Sequence, residues 1–194
     1  EGKAFLYTCG PTVYNYAHIG NFRAYIFEDL LRRALKYCGF EVFQVMNLTD
    51  IDDKTIKNSV AAGMKLEDYT RKFKDAFFED IAKLRIEKAE VYQEDTAHIP
   101  EMIEIIKRLE KKNCAYRGDD GSVYFSVAKF ANYGKLARID MENQKVGARI
   151  KTDEYSKENV ADFALWKFSG KNNLGYETKI GKGFPGWHIE CSAM

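Results

Sequence analysis

Apolar and charged positions alternate at two different pitches along the first hundred residues. Ala4-Phe5-Leu6-Tyr7-Thr8 is a compact apolar run closed by Gly10-Pro11, the layout of a short buried strand. From Ile19 onward apolar residues recur at Phe22, Ile26, Leu30, Leu31, Ala34, Leu35 and Cys38, with Arg23, Glu28, Asp29, Arg32, Arg33 and Lys36 among them. That spacing predicts a helix, and Gly39 stands where its C-cap belongs. Phe40–Met46 predicts a second strand, followed by the loop Asn47-Leu48-Thr49-Asp50-Ile51-Asp52-Asp53. Strand, helix and strand at this pitch form a βαβ unit, so a parallel sheet is expected.

Leu66–Ile86 places Tyr69, Phe73, Phe77, Ile81 and Leu84 on one helical face, and Lys54–Gly63 reads as a shorter helix before it. Pro100 stands where a further helix starts, with Met102, Ile103, Ile106 and Leu109 as its buried stripe. Tyr116-Arg117 and Ser122–Val127, separated by Gly118-Asp119-Asp120-Gly121, predict a hairpin. Lys129–Glu158 is polar and glycine-punctuated, as expected of an irregular insertion. Asp162–Phe168 returns to strand character, Lys171–Gly186 is a Gly- and Asn-rich loop, and Trp187 opens the last element.

Composition narrows the class. Hydrophobic residues make up 45 % of the 194, enough for a substantial core. No apolar run approaches the ~20 residues that span a bilayer, and no signal-peptide layout opens the chain; no membrane association is expected. Lys plus Arg (30) balances Asp plus Glu (29), so a nucleic-acid partner must be held by a local patch. Cys9, Cys38, Cys114 and Cys191 are widely spaced, which fits reduced thiols and a cytoplasmic location. The chain starts at Glu1 and stops at Met194 inside a dense motif, so a piece of something longer is expected.

The chemistry concentrates in Cys9-Gly10-Pro11-Thr12-Val13-Tyr14-Asn15-Tyr16-Ala17-His18-Ile19-Gly20-Asn21. A strand-to-helix turn exposes N–H groups and the positive end of a helix dipole, where phosphates bind. His18 and Asn21 stand at that terminus, and Gly20 removes a side chain between them; the alternative is a capped helix with a partly buried histidine. Cys9 is either a core thiol or, with Cys191, half of a tetrahedral zinc site. His188 and Glu190 are further ligand types next to Cys191. Thr49, Asp50, Asp52 and Asp53 either bind magnesium or cap the following helix. Trp187 is either core or a pocket wall.

Taken together, Tyr7–Tyr14, His18-Ile19-Gly20-Asn21, Asn47–Asp53 and Gly186-Trp187-His188-Ile189-Glu190-Cys191-Ser192-Ala193-Met194 closely resemble cysteinyl-tRNA synthetases, a family of class I aminoacyl-tRNA synthetases. His98-Ile99-Pro100 and Asp162–Lys167 fit the same family, so the resemblance covers essentially the whole chain. It implies an α/β fold: a Rossmann-like parallel sheet interrupted by an inserted connective domain. Residues 1–114 would be the first part of the catalytic domain, 115–165 the insertion, and 166–194 the start of the second part.

The resemblance also implies the reaction. Cysteine and ATP, with magnesium, would form cysteinyl-adenylate, and the cysteinyl group would pass to tRNA(Cys), with no protein nucleophile. His18, with Gly20 and Asn21, would bind ATP and stabilise its phosphates. Gly10, Thr49 and Trp187 would contact cysteine. Cys9 and Cys191 would be two of four zinc ligands, the other two, a histidine and a glutamate, lying beyond Met194. Soft sulfur binds zinc better than oxygen does, so the metal would reject serine where size alone yields only ~1–3 kcal/mol. The family signature usually ends in histidine where this chain has Asn21. A monomer is expected. The competing expectations are a ligase joining cysteine to an amino sugar, and a fragment of the synthetase fold without turnover.

Overall fold

The structure, a computed structural model, describes residues 2–138, 161–169 and 175–194. The chain divides into two compact units, Glu1–Ile99 with Met194, and Pro100–Ala193.

The first unit runs β1 (Lys3–Thr8), α1 (Ile19–Tyr37), β2 (Glu41–Leu48), α2 (Asp53–Ala61), α3 (Leu66–Lys83), β3 (Val91–Glu94) and a 3-10 turn (Asp95–His98). Its sheet has the order β1-β2-β3, with both pairs parallel, as the βαβ pattern predicts. Helix α1 ends as expected at Gly39, whose φ of 89° lies in the left-handed region. There Gly39 N donates to Lys36 O and Phe40 N to Leu35 O, closing the last turn in a Schellman motif. Tyr25, Met46, Leu48, Phe77, Ile81 and Ala89 form the core. Edge-to-face rings knit it together: Tyr25 and Phe77 lie 5.4 Å apart, Phe78 and Tyr92 4.8 Å.

Three expectations need correction here. Strand β1 is not buried: Phe5 is 77 % exposed, because β1 lies at one edge of the described sheet and its odd residues face away from α1. The buried side of α1 is also not the purely apolar one. Tyr25 and Arg32 are buried, whereas Ile26, Leu30 and Leu31 are exposed. The third is an omission, since β3 has too short a run to show a strand period.

Arg32 explains the choice of face. Its guanidinium forks onto Glu90 (2.8 and 2.6 Å), donates to Glu87 at 3.0 Å, and reaches Gln44 Oε1 at 3.2 Å. Gln44 Nε2 in turn donates to Thr8 Oγ1 at 3.0 Å. A polar chain therefore runs under the sheet from the segment before β3 to the residue that precedes Cys9. Such a fork is geometrically specific as well as strong, so it fixes the rotation of α1 about its own axis.

The second unit holds α4 (Ile99–Lys111, apart from Ile99), β4 (Ala115–Arg117), β5 (Val123–Phe125), β6 (Phe163–Phe168), β7 (Gly183–Pro185) and α5 (Trp187–Ala193). Its sheet is antiparallel throughout, in the order β4-β5-β6-β7. Met102, Ile106, Val123, Tyr124 and Trp166 are fully buried. Asp162 is a buried carboxylate with partners, accepting from Val127 N and Tyr116 Oη, each at 2.9 Å. Most of the irregular stretch expected over Lys129–Glu158 lies outside the described residues, as do residues 171–174 of the following loop.

Candidate functional site

The turn between β1 and α1 is built against the end of β2. Val13 N donates to Thr49 O and Thr49 N to Pro11 O, both at 3.0 Å, so the chain continues alongside β2 after β1 has ended. Thr49 is 2 % exposed, and its Oγ1 accepts from Asn47 Nδ2 at 3.1 Å. Asn47 Oδ1 accepts from Gly10 N at 3.0 Å. A Cβ on Gly10 would stand 2.0 Å from Asn47 O, so glycine is required by the approach of two backbones. Cys9, exposed and outside any disulfide, sits immediately before this clamp.

His18 is the N-cap of α1, with extended φ and ψ. Its Nδ1 accepts from Gly20 N at 3.0 Å, and Asn21 Oδ1 accepts from His18 N at 3.0 Å, a reciprocal capping box. Gly20 makes room for this ring: a Cβ there would lie 2.9 Å from His18 Cε1. Because Nδ1 accepts, the ring carries its proton on Nε2, which leaves an N–H donor on an exposed side chain. The first turn of α1 holds no acidic residue, whereas α2, α3 and α4 each hold at least one. The dipole of this 19-residue helix is therefore not offset by a carboxylate of its own first turn, which suits an anion. The capping and phosphate readings are thus compatible, since the ring uses one nitrogen for each.

The acidic cluster after β2 is structural in its main contacts. Asp52 caps α2, its carboxylate accepting from Thr55 N at 2.6 Å. Asp50, 4 % exposed, accepts from Thr96 N and Oγ1 (3.0 and 2.7 Å) and faces Lys74 at 3.5 Å. Burial pushes both carboxyls above their ordinary range, against the pull of these hydrogen bonds. Asp52→Ala is expected to cost about 1 kcal/mol through the lost cap, seen as a lower denaturation midpoint with an unchanged urea slope. No three His, Cys, Asp or Glu side chains gather into a metal site among the described residues.

One further acid lies near the turn. Glu28 on α1 keeps one buried oxygen, Oε2, without a hydrogen-bond partner among the described residues. Burial raises its carboxyl to about 7, and a hydrogen bond with Thr8 opposes that rise. Tyr25 is pushed up mainly by burial, then by the charges of Glu28 and Cys9.

In the second unit Trp187 opens α5 and is 64 % exposed, which rules out the core reading within that unit. The His188 ring lies 4.5 Å from Phe163 and 5.9 Å from Trp187. Cys191 is half-buried one turn later, and Glu190 is fully buried.

A family model described as tRNA synthetases class I (C) catalytic domain matches residues 1–194. The chain belongs to this class I synthetase family. It is 55 % identical to a protein of Protochlamydia amoebophila named Cysteine--tRNA ligase, with 97 % of this chain and 41 % of that protein covered. A Brachyspira hyodysenteriae protein of the same name is 56 % identical, with 97 % and 40 % covered. The synthetase chain thus spans about two fifths of the length of these curated relatives. Among solved structures it is similar to Mycobacterium tuberculosis methionyl-tRNA synthetase bound by methionyl-adenylate. That likeness has a TM-score of 0.68 at 14 % identity, covers 97 % of this chain and 45 % of the other, and bears on the fold.

Within the synthetase's first unit, the residues singled out by sequence fall into two local groups. Gly10 and Thr49 share one hydrogen-bonded clamp through Asn47, with Cys9 immediately before it, and His18, Gly20 and Asn21 share one cap. Trp187 and Cys191 belong to the second unit and share α5. Sequence reasoning missed Asn47, which clamps Gly10 and Thr49, and Arg32. Asn47 was visible as a polar residue closing an apolar strand; Arg32 had no distinguishing signal.

Proposed function

We propose that this chain is the catalytic part of a cysteine–tRNA ligase. It would activate cysteine with ATP and magnesium to the adenylate and transfer the cysteinyl group to tRNA(Cys). The observation that carries the reading is the exposed, acid-free N-terminus of α1, capped by His18 and Asn21, in a chain 55 % identical to a protein named Cysteine--tRNA ligase. The Nε2–H of His18 would donate to an ATP phosphate, and the α1 dipole would stabilise charge as pyrophosphate departs. Asn21, held by its Oδ1 in the cap, would offer its amide N–H groups to the same anion. Gly10 and Thr49, held by Asn47 in the first unit, would contact cysteine, and Trp187, exposed in the second unit, is assigned to cysteine by family resemblance alone.

Thiolates suit zinc; Cys9 in the first unit and Cys191 in the second, each outside disulfides and at least partly accessible, are assigned to it by family resemblance. When bound, zinc supplies a soft position that favours a substrate thiol over a hydroxyl. We read residues 115–165 as the connective insertion; the switch from parallel to antiparallel pairing at β4 supports its start, whereas β6 and β7 carry that antiparallel sheet on to Pro185. No helix among the described residues is long and apolar enough to cross a membrane; a cytoplasmic monomer is the reading we adopt.

The test is ATP–pyrophosphate exchange by the complete enzyme with cysteine or serine. Exchange with cysteine and none with serine is expected, followed by cysteinyl transfer to tRNA(Cys). Cys191→Ser should lower zinc content measured by elemental analysis and narrow the cysteine–serine gap. Full zinc occupancy in that variant would remove Cys191 from the ligand set.

A further inference from the structure

Beside the turn that carries His18, two lysines lie over aromatic rings. Lys54 Nζ is 4.7 Å from the centre of the Tyr14 ring. Lys72 Nζ is 4.5 Å from that of Phe73 and 5.2 Å from that of Tyr69. Tyr69 Oη donates to Tyr14 O at 2.8 Å, and the Tyr16 ring meets Phe73 edge-on at 5.1 Å. These six side chains form one continuous strip in the first unit, and Tyr14 and Tyr16 belong to the same loop as His18.

The strip differs in two ways from a surface that only satisfies itself. Other cations of α3 are spent on carboxylates: Arg71 on Glu67 and Asp68, Lys74 on Asp50 and Glu94, Lys83 on Glu79. Lys54 and Lys72 have no carboxylate within ion-pair distance among the described residues, and both are exposed. A ring face holds an ammonium in place and leaves its outward N–H groups available. Tyr16, meanwhile, is 62 % exposed, an aromatic surface presented to solvent next to these cations.

Fixed cations interleaved with an exposed ring are the chemistry that binds single-stranded nucleic acid, phosphates on the charges and a base on the ring. On the ligase reading, which this step rests on, the acceptor hydroxyl belongs to the terminal ribose of a polyanion and must arrive beside His18. We propose that the strip receives the single-stranded 3′ end of the tRNA, with Lys54 and Lys72 on its phosphates and Tyr16 stacked on a base.

The test compares the complete enzyme with Lys54→Gln/Lys72→Gln and with Tyr16→Ala, using cysteine-dependent ATP–pyrophosphate exchange and tRNA binding across a salt series. Exchange should stay within about twofold, since no nucleic acid takes part in it. The lysine variant should flatten the plot of log affinity against log salt by about 1.4, the slope expected for two single-strand phosphate contacts. Lys54→Arg/Lys72→Arg should restore it. Tyr16→Ala should weaken binding about tenfold, the size of one stacked base. All these losses should vanish with tRNA trimmed of its single-stranded 3′ tail. Unchanged affinity and slope alongside normal exchange would overturn the proposal, and so would equal losses with trimmed tRNA. Absence of cysteine-dependent exchange in the unaltered enzyme is a different outcome, and removes the ligase reading itself.

Discussion

Replacing His18 with Ala in the complete enzyme is expected to slow cysteine-dependent ATP–pyrophosphate exchange by about 10²–10³-fold, the usual loss when one preorganised donor to a developing charge is removed. The alanine variant alone would be ambiguous, because His18 also caps α1 through Nδ1, and a lost cap costs about 1 kcal/mol. His18→Asn separates the two roles. Asparagine is among the best N-cap residues, so its side-chain oxygen can take over the bond from Gly20 N and leave the denaturation midpoint near that of the parent. It lacks a donor in the position of Nε2–H, so exchange should fall nearly as far as in the alanine variant. Parental exchange in His18→Asn would assign the histidine to capping alone. The effect should appear in the rate at saturating ATP more than in the KM, because the donor meets charge that grows only as pyrophosphate leaves.

The cap at the start of α1 was legible because capping is local. Cys9, His18, Gly20 and Asn21 lie within thirteen positions, and capping is decided by residues two or three apart. The parallel sheet was equally legible, since a helix between two strands leaves little other choice. Helix α3 was legible too: Tyr69, Phe73, Phe77 and Ile81 are all buried at helical spacing. What escaped depends on partners far along the chain. Strand β3 has only four residues, all half-buried, so no alternation marks it. It pairs because β2 offers an edge, not because its own sequence insists. Arg32 looks like any charged residue on an amphipathic helix; only Glu87 and Glu90, more than fifty residues on, make it an inward one. The exposed Ile26, Leu30 and Leu31 follow from the same fact, since fixing Arg32 inward turns them outward.

Arg32→Met should be strongly destabilising in the first unit. Removing one member of a largely buried, hydrogen-bonded ion pair typically costs 3–5 kcal/mol, because the remaining charge is left without compensation. Arg32 has 6 % of its side chain exposed, but Glu90 has 32 % and Glu87 28 %, so water relieves part of that penalty. Lys36 also still holds Glu87 at 2.8 Å. A loss of about 3 kcal/mol is therefore expected, a large share of a domain's 5–15 kcal/mol, read as a lower urea midpoint at constant slope.

The pH profile distinguishes the charge interaction from lost packing. The hydrogen bonds from Arg32 hold the Glu90 carboxyl at about 2, below its ordinary 4.5, so that pair's contribution is present above 4.5 and fades as pH falls towards 2. Glu28 acts in the opposite sense. Burial raises it to about 7, so its contribution is present below 4.5 and fades as pH rises through 7. Together the two acids place the parent's stability maximum for this helix near the ordinary carboxylate range. Arg32→Met should make the fall on the acid side markedly shallower, leaving the part that Lys36 on Glu87 and the backbone bond from Gln44 to Glu90 still supply, and keep the fall on the alkaline side. A variant that loses stability equally at every pH would assign Arg32 to packing, and the Glu90 fork would then not be what sets the rotation of α1.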